Sequence, residues 1–159
     1  MKMNKKGFTL IELLAVIVIL AVIALIASPI VLGIIQNSRE SSQARSVESF
    51  AQAAQQAYAA RMAKPGYMGE DITIAGSDTT WYAQVSGEAD DANKEPVKYT
   101  GSAIKCSKVD YDPTTGYIEA TCQVSGSDQQ YDYCNAPQGS TCKSGMASTA
   151  GSAVKHASA

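Results

Sequence analysis

The N-terminal part of the chain has the most uneven distribution of apolar and charged side chains. Residues 8–35 are almost entirely apolar, and Glu12 is the only ionisable side chain among them. The span exceeds the about 20 apolar residues that a helix needs to cross a bilayer. An acid at the centre of such a span costs about 2.5–3.5 kcal/mol, and less near the interface. The pattern predicts a membrane-spanning helix in which Glu12 needs a compensating partner.

A second helical pattern follows, in a segment that lacks proline and glycine and ends at Lys64. Apolar side chains recur there at spacings of three and four, which places them on one helical stripe. The stripe comprises Val47, Phe50, Ala51, Ala54, Tyr58 and Met62. We therefore predict one continuous helix, apolar all round in residues 8–35 and amphipathic in residues 36–64. Pro65 and Gly66 end it.

Residues 65–143 show the patterns of β-strands. Alternating or β-prone segments are separated by turn-forming glycine, proline and aspartate. The segments are residues 71–75, 81–85, 102–111, 117–124 and 129–134. We predict an α+β fold, in which the long N-terminal helix packs its amphipathic half on a small antiparallel β-sheet. Residues 144–159 hold almost no large apolar side chain and are predicted to be a flexible tail.

A turn at residues 112–116 sets the expected register of the two strands beside it. Its proline and glycine stand where turn geometry favours them. If Asp112 faces Gly116, then Tyr111 faces Tyr117 across the strand pair. Both strands can then be counted back from the turn.

Four cysteines lie after the apolar span, namely Cys106, Cys122, Cys134 and Cys142. Basic residues that flank an apolar span stay in the cytoplasm, so the lysines before residue 8 place all four cysteines on the outer, oxidising side. Two disulfides are expected, with three possible pairings. The register above favours Cys106 with Cys122, which leaves Cys134 and Cys142 to close a short loop.

No set of residues indicates a catalytic, metal or cofactor site. The cysteines lack Cys-x-x-Cys spacing, and the only histidine, His156, lies in the predicted tail. An acidic segment contains Glu88, Asp90, Asp91, Asn93 and Glu95. Because Pro96 stands where the common calcium loop needs glycine, we predict a solvated loop there. We expect no enzyme activity, no cofactor and no bound metal.

The segment Gly-Phe-Thr-Leu-Ile-Glu at residues 7–12, with three lysines before it, resembles the class III leader of type IV prepilins. The resemblance implies that a membrane peptidase cuts between Gly7 and Phe8 and that the new amine of Phe8 is methylated. It also implies that Glu12 meets the terminal amine of a neighbouring subunit during assembly. The alternatives are a plain membrane anchor and a cleaved secretory signal, with residues 25–27 as a weak cleavage site.

Pro29 and Gly33 interrupt the apolar span. Proline removes an intrahelical hydrogen bond at a cost of about 3 kcal/mol, which predicts a kink. In members of the resembled family, a proline here can accompany local loss of helix in the filament, and Gly33 would make that easier. The resemblance therefore assigns both residues to assembly.

The resemblance implies a structural subunit of a type IV pilus, first a single-pass protein of the cytoplasmic membrane and then part of a surface filament. The expected partners are other copies, minor pilins, the prepilin peptidase and methyltransferase, and the membrane assembly platform. Loss of the leader lysines leaves 10 basic and 15 acidic side chains, a formal charge of −5. This acidic balance argues against direct nucleic-acid binding. Tyr131 and Tyr133 are candidates for contacts between subunits.

The start of the chain looks most like pilins of Gram-positive bacteria. A pseudopilin of a type II secretion or DNA-uptake system is the alternative, because it has the same first half. The role of a finished filament in adhesion, motility or DNA uptake stays open. A membrane-tethered enzyme is a third class, which the lack of a convergent reactive set disfavours.

Overall fold

The structure of the protein is a computed structural model that describes residues 8–87 and 93–157. Over these residues the chain forms one long helix followed by a series of strands. They are α1 (Leu10–Met62), β1 (Ile72–Ser77), β2 (Thr80–Val85), β3 (Glu95–Pro96), β4 (Ile104–Tyr111), β5 (Ile118–Val124), β6 (Gln130–Cys134) and β7 (Val154–Lys155). By its internal contacts the chain divides into two compact units, Met1–Glu40 and Ser41–Ala159.

The described part of the first unit is residues 8–40, most of which form the apolar stretch of α1. Its large apolar side chains are all exposed, from 90% at Phe8 to 43% at Ile35. By length and composition this stretch can cross a membrane. The helix is continuous through Pro29 and Gly33. Beside the proline, the hydroxyl of Ser28 donates to the carbonyl of Ala24 at 2.7 Å.

The second unit has its core between the amphipathic part of α1 and the strands. Phe50 lies at the centre and is fully buried. Its ring meets Trp81 at 5.0 Å and Tyr99 at 5.4 Å between centroids, both edge to face. This arrangement suits the quadrupoles of aromatic rings. The predicted stripe of α1 is therefore the face that packs on the strands. We call the described residues after α1, from residue 63 onward, the head.

The strands form two antiparallel sheets, whereas the sequence predicted one. The first sheet has the order β1-β2-β3 and the second the order β4-β5-β6-β7. An isolated bridge between Asp78 and Ile104 links them. Asp78 has a φ of 53° and its carbonyl accepts hydrogen bonds from Tyr99 Oη at 2.6 Å and from the amide of Ile104 at 3.1 Å. The tight β1-β2 turn therefore holds the sheets side by side.

The register of β4 against β5 differs from the prediction by one residue near the turn. Tyr111 faces Ile118 instead of Tyr117. A bulge at Ser107 absorbs the difference, so that Cys106 still faces Cys122. A bulge adds one residue to one strand and changes which face the following side chains take. The predicted Tyr111–Tyr117 pair was wrong, and Tyr111 instead packs on Tyr58 with ring centroids 4.0 Å apart.

The bulge also explains why β4 had an irregular sequence pattern. Lys108 lies opposite Thr121 and Asp110 lies opposite Glu119, on the face away from the buried Ile118 and Cys122. If Ser107 were paired in a regular ladder, Lys108 would lie opposite Ala120 and share the face of Cys106. The bulge therefore keeps a lysine and an aspartate out of the core.

The segment predicted as a flexible tail contains ordered structure up to residue 157. β7 pairs with β6, and the hydroxyl and amide of Thr149 make hydrogen bonds with the backbone of Cys134. The backbone amides and hydroxyls of this segment supply these contacts. Large apolar side chains, on which the prediction relied, are not needed for them.

Candidate functional site

The residues just before α1 form a reciprocal set of hydrogen bonds. The amide and hydroxyl of Thr9 donate to Glu12 Oε2 at 2.8 and 2.9 Å. The amide of Glu12 lies 3.3 Å from Thr9 Oγ1 and 3.1 Å from the Thr9 carbonyl oxygen. This is a capping box, in which Thr9 caps the helix and Glu12 occupies the third helical position. The acid also lies at the positive end of the helix dipole.

This arrangement gives Glu12 polar partners within its own chain. The sequence prediction required a compensating partner for the acid and, through the resemblance, assigned it to a neighbouring subunit. Thr9 was missed, although the Thr-x-x-Glu spacing is a sequence signature of a capping box. Both Thr9 bonds end on Oε2 and neither uses Oε1. The single chain therefore holds its carboxylate in a defined place while one oxygen is not engaged by Thr9.

Phe8 lies next to this capping box and is 90% exposed. Phe8 and Thr9 both precede the first helical residue, Leu10. Gly7 and the other residues before Phe8 lie outside the described part of the chain. The described chain therefore enters α1 two residues after its first described residue.

The head contains two disulfides. Cys106 is joined to Cys122 across β4 and β5, with Cα atoms 3.9 Å apart. Cys134 is joined to Cys142 and closes a short loop after β6, with Cα atoms 6.1 Å apart. This is the pairing that the predicted register favoured. The second disulfide is buried together with Ala136 in a small cluster beside the main core.

A buried carboxylate ties the segment after this loop to the sheet. Glu119 on β5 is 1% exposed, and its Oε1 lies 2.8 Å from Lys108 Nζ. The hydroxyl and amide of Ser144 donate to Oε2 at 2.7 and 3.2 Å. Burial by itself raises the pKa of Glu119, but the hydrogen bonds from Lys108 and Ser144 outweigh it and lower the pKa below its usual value. The same hydrogen bond raises the pKa of Lys108.

Only part of the acidic segment lies within the residues that the structure describes. Glu88, Asp90 and Asp91 lie outside the described residues, whereas Asn93 and Glu95 lie within them. Lys64 Nζ contacts Glu95 Oε2 at 2.9 Å and the Asn93 carbonyl oxygen at 2.9 Å. Within residues 8–87 and 93–157, no group of three or more His, Cys, Asp or Glu side chains could hold a metal ion. Asn93 and Glu95 therefore connect the loop to Lys64, just after the end of α1.

Tyr131 and Tyr133 were predicted as candidates for contacts between subunits. Both side chains are instead buried within their own chain. Each is 2% exposed and belongs to the core of the head. Tyr131 donates its hydroxyl to Gln43 Oε1 on α1 at 3.1 Å. Their alternation along β6 places both on the face toward α1.

Comparison with protein families supports the reading of the N-terminal segment. Residues 2–28 match the prokaryotic N-terminal methylation motif, the class III leader of type IV pilins and pseudopilins. No curated protein and no solved structure matched the chain. The matched residues include Gly7, Phe8, Thr9 and Glu12 and end before the head. The leader is thus shown by sequence comparison, and the helix packed on antiparallel sheets is shown by the structure.

Proposed function

We propose that this chain is a non-enzymatic structural subunit of a type IV pilus. The observation that carries the proposal is the methylation motif at residues 2–28, which leads directly into an apolar helix with exposed side chains. Large exposed apolar surfaces mark sites that contact a membrane or other proteins. The head has a core of its own, to which the apolar part of α1 does not contribute. In the proposal, this part of α1 first inserts into the membrane and later packs against other subunits.

In this proposal a prepilin peptidase cuts between Gly7 and Phe8, and a methyl group is added to the new amine of Phe8. The motif match supports this step, as do the exposure of Phe8 and its position before the helix. The chain is then a single-pass protein of the cytoplasmic membrane with its head outside.

Glu12 then acts as the assembly contact. In a low-dielectric setting a carboxylate is tolerable only when it is paired and hydrogen-bonded. Thr9 satisfies part of this requirement within the chain, and the methylated amine of Phe8 on a second copy supplies the opposite charge. The carboxylate already lies at the start of the helix, close in sequence to the amine of its own chain.

Polymerisation places the apolar parts of α1 in the filament core and the heads outside. Pro29 and Gly33 lie within the part of α1 that would be packed. Both residues are proposed to allow local loss of helix during packing. The proposed partners are further copies, minor pilins, the peptidase and methyltransferase, and the membrane assembly platform.

The first test uses mass spectrometry of the chain after expression with and without a prepilin peptidase. Cleavage should remove residues 1–7 and add one methyl group to the new N-terminus. A bulky residue at position 7, as in Gly7→Leu, should leave the leader attached. Cleavage at another site would contradict the proposed processing.

The second test addresses polymerisation. Glu12→Val should insert and be cleaved normally but should not assemble into filaments, because the acid that attracts the next amine is missing. Ile11→Val is the matched control, since it changes a neighbouring apolar residue and keeps the acid. Filaments of Glu12→Val at wild-type yield would contradict the assembly role of Glu12.

A pseudopilin is the second candidate, because the matched motif belongs to pseudopilins as well. The two roles differ in what the cell displays. Deletion of the gene should remove surface filaments in electron micrographs if the chain is a major pilin. Filaments that persist while secretion or DNA uptake fails would favour the pseudopilin.

A further inference from the structure

A cleft separates the two sheets of the head where their edge strands face each other. β1 is an edge of the first sheet and β4 is an edge of the second. Among the described residues, the antiparallel bridge between Asp78 and Ile104 is the only pairing that joins these edges. Beyond the bridge lies a cleft of about 270 Å³, with residues 71–74 on one side and residues 109–111 on the other.

The bulge at Ser107 explains why the two edges pair at one end only. The bridge involves Ile104, which precedes the bulge, whereas the cleft residues of β4 all follow it. A bulge bends its strand and increases the local twist. The edge of β4 therefore turns away from β1 after Ser107, and the space between the sheets opens there.

The β1 side of the cleft presents backbone groups that no strand uses. The amide of Ser86 donates to the Asp71 carbonyl oxygen at 2.7 Å, so these two residues form a hydrogen-bonded pair of the β1-β2 ladder. Such pairs alternate along an antiparallel ladder with pairs whose backbone groups point outward. The amides and carbonyls of Ile72 and Ile74 therefore point away from β2, toward the cleft.

The β4 side has the same property. The amide of Asp112 donates to the Tyr117 carbonyl oxygen at 2.9 Å, next to the last pair of the β4-β5 ladder. By the same alternation, the backbone groups of Val109 and Tyr111 point away from β5. Outward backbone groups at a sheet edge are available to another strand.

Tyr58 lines the cleft from the side of α1 and is 6% exposed. Its hydroxyl has no hydrogen-bond partner among the residues that the structure describes. Burial raises the pKa of this phenol above its ordinary value of 10.0, with smaller contributions from neighbouring phenols and carboxylates. The phenol therefore stays protonated near neutral pH, as a buried donor that lacks an acceptor.

Two oppositely charged side chains at the cleft are unpaired. Asp71 and Lys143 both line it and are exposed, and neither side chain makes a hydrogen bond or ion pair within the described part of the chain. Asp110 also lines the cleft, but its carboxylate lies 3.7 Å from Lys108 Nζ. The cleft thus offers one anion and one cation to a ligand.

We propose that this cleft binds an extended peptide segment of another protein, which adds as a strand along the open edges and presents a basic side chain to Asp71 and an acidic one to Lys143. Open edges on both sides, the unpaired Tyr58 hydroxyl and the two unpaired charges support a peptide, because its backbone and side chains supply all the missing partners. This inference does not depend on the proposed pilus function.

The alternation of β1 indicates how such a segment would be patterned. Ile72 is buried, whereas Asp71 and Thr73 on either side of it are exposed. A strand added beside β1 follows the same alternation of faces. Its small apolar side chains would face α1, its charged side chains would face outward, and one of its carbonyl oxygens would accept from Tyr58.

The test is an NMR titration of the labelled full chain in detergent micelles with a pool of blocked pentapeptides. Each peptide has alanine or valine at its first, third and fifth positions and arginine and glutamate, in either order, at the second and fourth. The amides of Ile72, Ile74, Val109 and Tyr111 should shift and saturate. Absence of a saturable shift in residues 71–74 and 109–111 would overturn the proposal.

A modified pool tests strand pairing. Peptides N-methylated on alternate residues, in either of the two phases, lose the donors that face one edge. At least one phase should bind about tenfold more weakly, because each hydrogen bond contributes about twofold to tenfold. Unchanged binding of both phases would overturn the addition of a strand.

The charges are tested by pairing variants with peptides. Asp71→Asn should weaken binding about threefold to fivefold, the range of a partly exposed ion pair, and should have no effect on a pool with glutamine for arginine. Lys143→Gln should behave in the same way toward a pool with glutamine for glutamate. Asp128→Asn, on the exposed segment before β6, is the matched control and should bind as the wild type does. Equal losses in the parent and glutamine pools would overturn the assigned ion pairs.

Tyr58→Phe tests the buried hydroxyl and keeps the ring that packs on Tyr111. It should weaken peptide binding about twofold to tenfold, the value of one hydrogen bond. Tyr82→Phe, which removes a hydroxyl outside the cleft, should have no effect. Unchanged binding in Tyr58→Phe would overturn the proposal. Cleft amides that shift with protein concentration in the absence of peptide would assign the cleft to a second copy, and would overturn it as well.

Discussion

Cys106 lies opposite Cys122, with Cα atoms 3.9 Å apart. Between this pair and the turn, the register of β4 against β5 shifts by one residue. The extra residue, Ser107, is exposed and donates its hydroxyl to the Thr121 carbonyl oxygen at 3.3 Å. It sits between the disulfide and Lys108. While Ser107 is present, the bulge lets Cys106 face Cys122 and places Lys108 on the opposite face of the sheet.

Deletion of Ser107 should leave the fold nearly unchanged. It removes the bulged residue, and Cys106 can still face Cys122 while Lys108 still faces Thr121. We expect a loss of about 0.5–1.5 kcal/mol, the value of one hydrogen bond. Urea unfolding of the full chain in detergent and a free-thiol assay would measure both properties.

Deletion of Val109 is the matched comparison, because it shortens the same strand by one residue. It can restore a regular ladder only by placing Lys108 opposite Ala120, on the buried face. We expect a loss of more than about 3 kcal/mol, from the missing apolar side chain and the buried ammonium. Equal stability of the two deletions would contradict the role assigned to the bulge.

Lys108→Met should destabilise the head by about 1–3 kcal/mol, because it leaves the buried Glu119 carboxylate without its cation. Asp110→Asn is the control, since Asp110 meets the same lysine at the longer distance of 3.7 Å. Its effect should be smaller. Chemical unfolding near neutral pH would rank the two variants.

Glu119 should also give the head an acid-dependent stability. Its pKa is lower in the folded chain than the ordinary value of 4.5. A lowered acid pKa stabilises the fold above the unfolded value, and this stability is lost as the pH falls through the folded pKa. Between about pH 5 and pH 2, the wild type should therefore lose more stability than Glu119→Gln. Parallel pH curves for the two proteins would contradict this.

Asp112 should titrate at a pH of about 2, well below its ordinary value of 3.8. The hydroxyl of Thr114 donates to Asp112 Oδ1 at 2.6 Å, and the hydroxyl of Thr115 donates to Oδ2 at 2.9 Å. These bonds favour the charged form. Their stabilisation is present above pH 3.8 and is lost as the pH falls through about 2. NMR should show a higher pKa in Thr114→Ala, and an unchanged pKa would contradict the assignment.

Thr9→Val should loosen the first turn of α1, because valine has nearly the same shape and no hydroxyl. The capping contact is worth about 0.5–2 kcal/mol. Faster amide exchange at Glu12 and Leu13 in micelles would report the loss. Thr9→Ser keeps the hydroxyl and should keep the protection; equal exchange in both variants would remove Thr9 from the capping role.

The helix and most strands could be predicted because their periodicity reflects which face is buried. Val47, Phe50 and Ala54 recur with helical spacing and lie in the core, and the alternation from Ile118 to Val124 marks a buried face of β5. Such patterns depend on local geometry and on one burial direction. These patterns predict an element only where one of its faces is polar and the other is apolar.

Other features depend on contacts between distant segments. Glu119 has the alternation of a solvent-facing residue, but the segment around Ser144 covers it. The bulge at Ser107 becomes visible only when the turn and the disulfide are placed together. Residues 154–156 pair with β6 through backbone hydrogen bonds, which leave no apolar signal in the sequence. Thr9 is the exception, because its spacing to Glu12 is a local capping-box signature that the sequence itself contains.

The two disulfides join neighbours along the chain. Cys106 pairs with Cys122 across a separation of 16 residues, and Cys134 pairs with Cys142 across a separation of 8. The two covalent rings therefore neither interleave nor enclose one another. A chain that leaves the membrane from its N-terminal side presents its cysteines in this same order. Oxidation of each cysteine with the next one to emerge gives the native pairing directly, and no step of disulfide isomerisation is required for the head to mature.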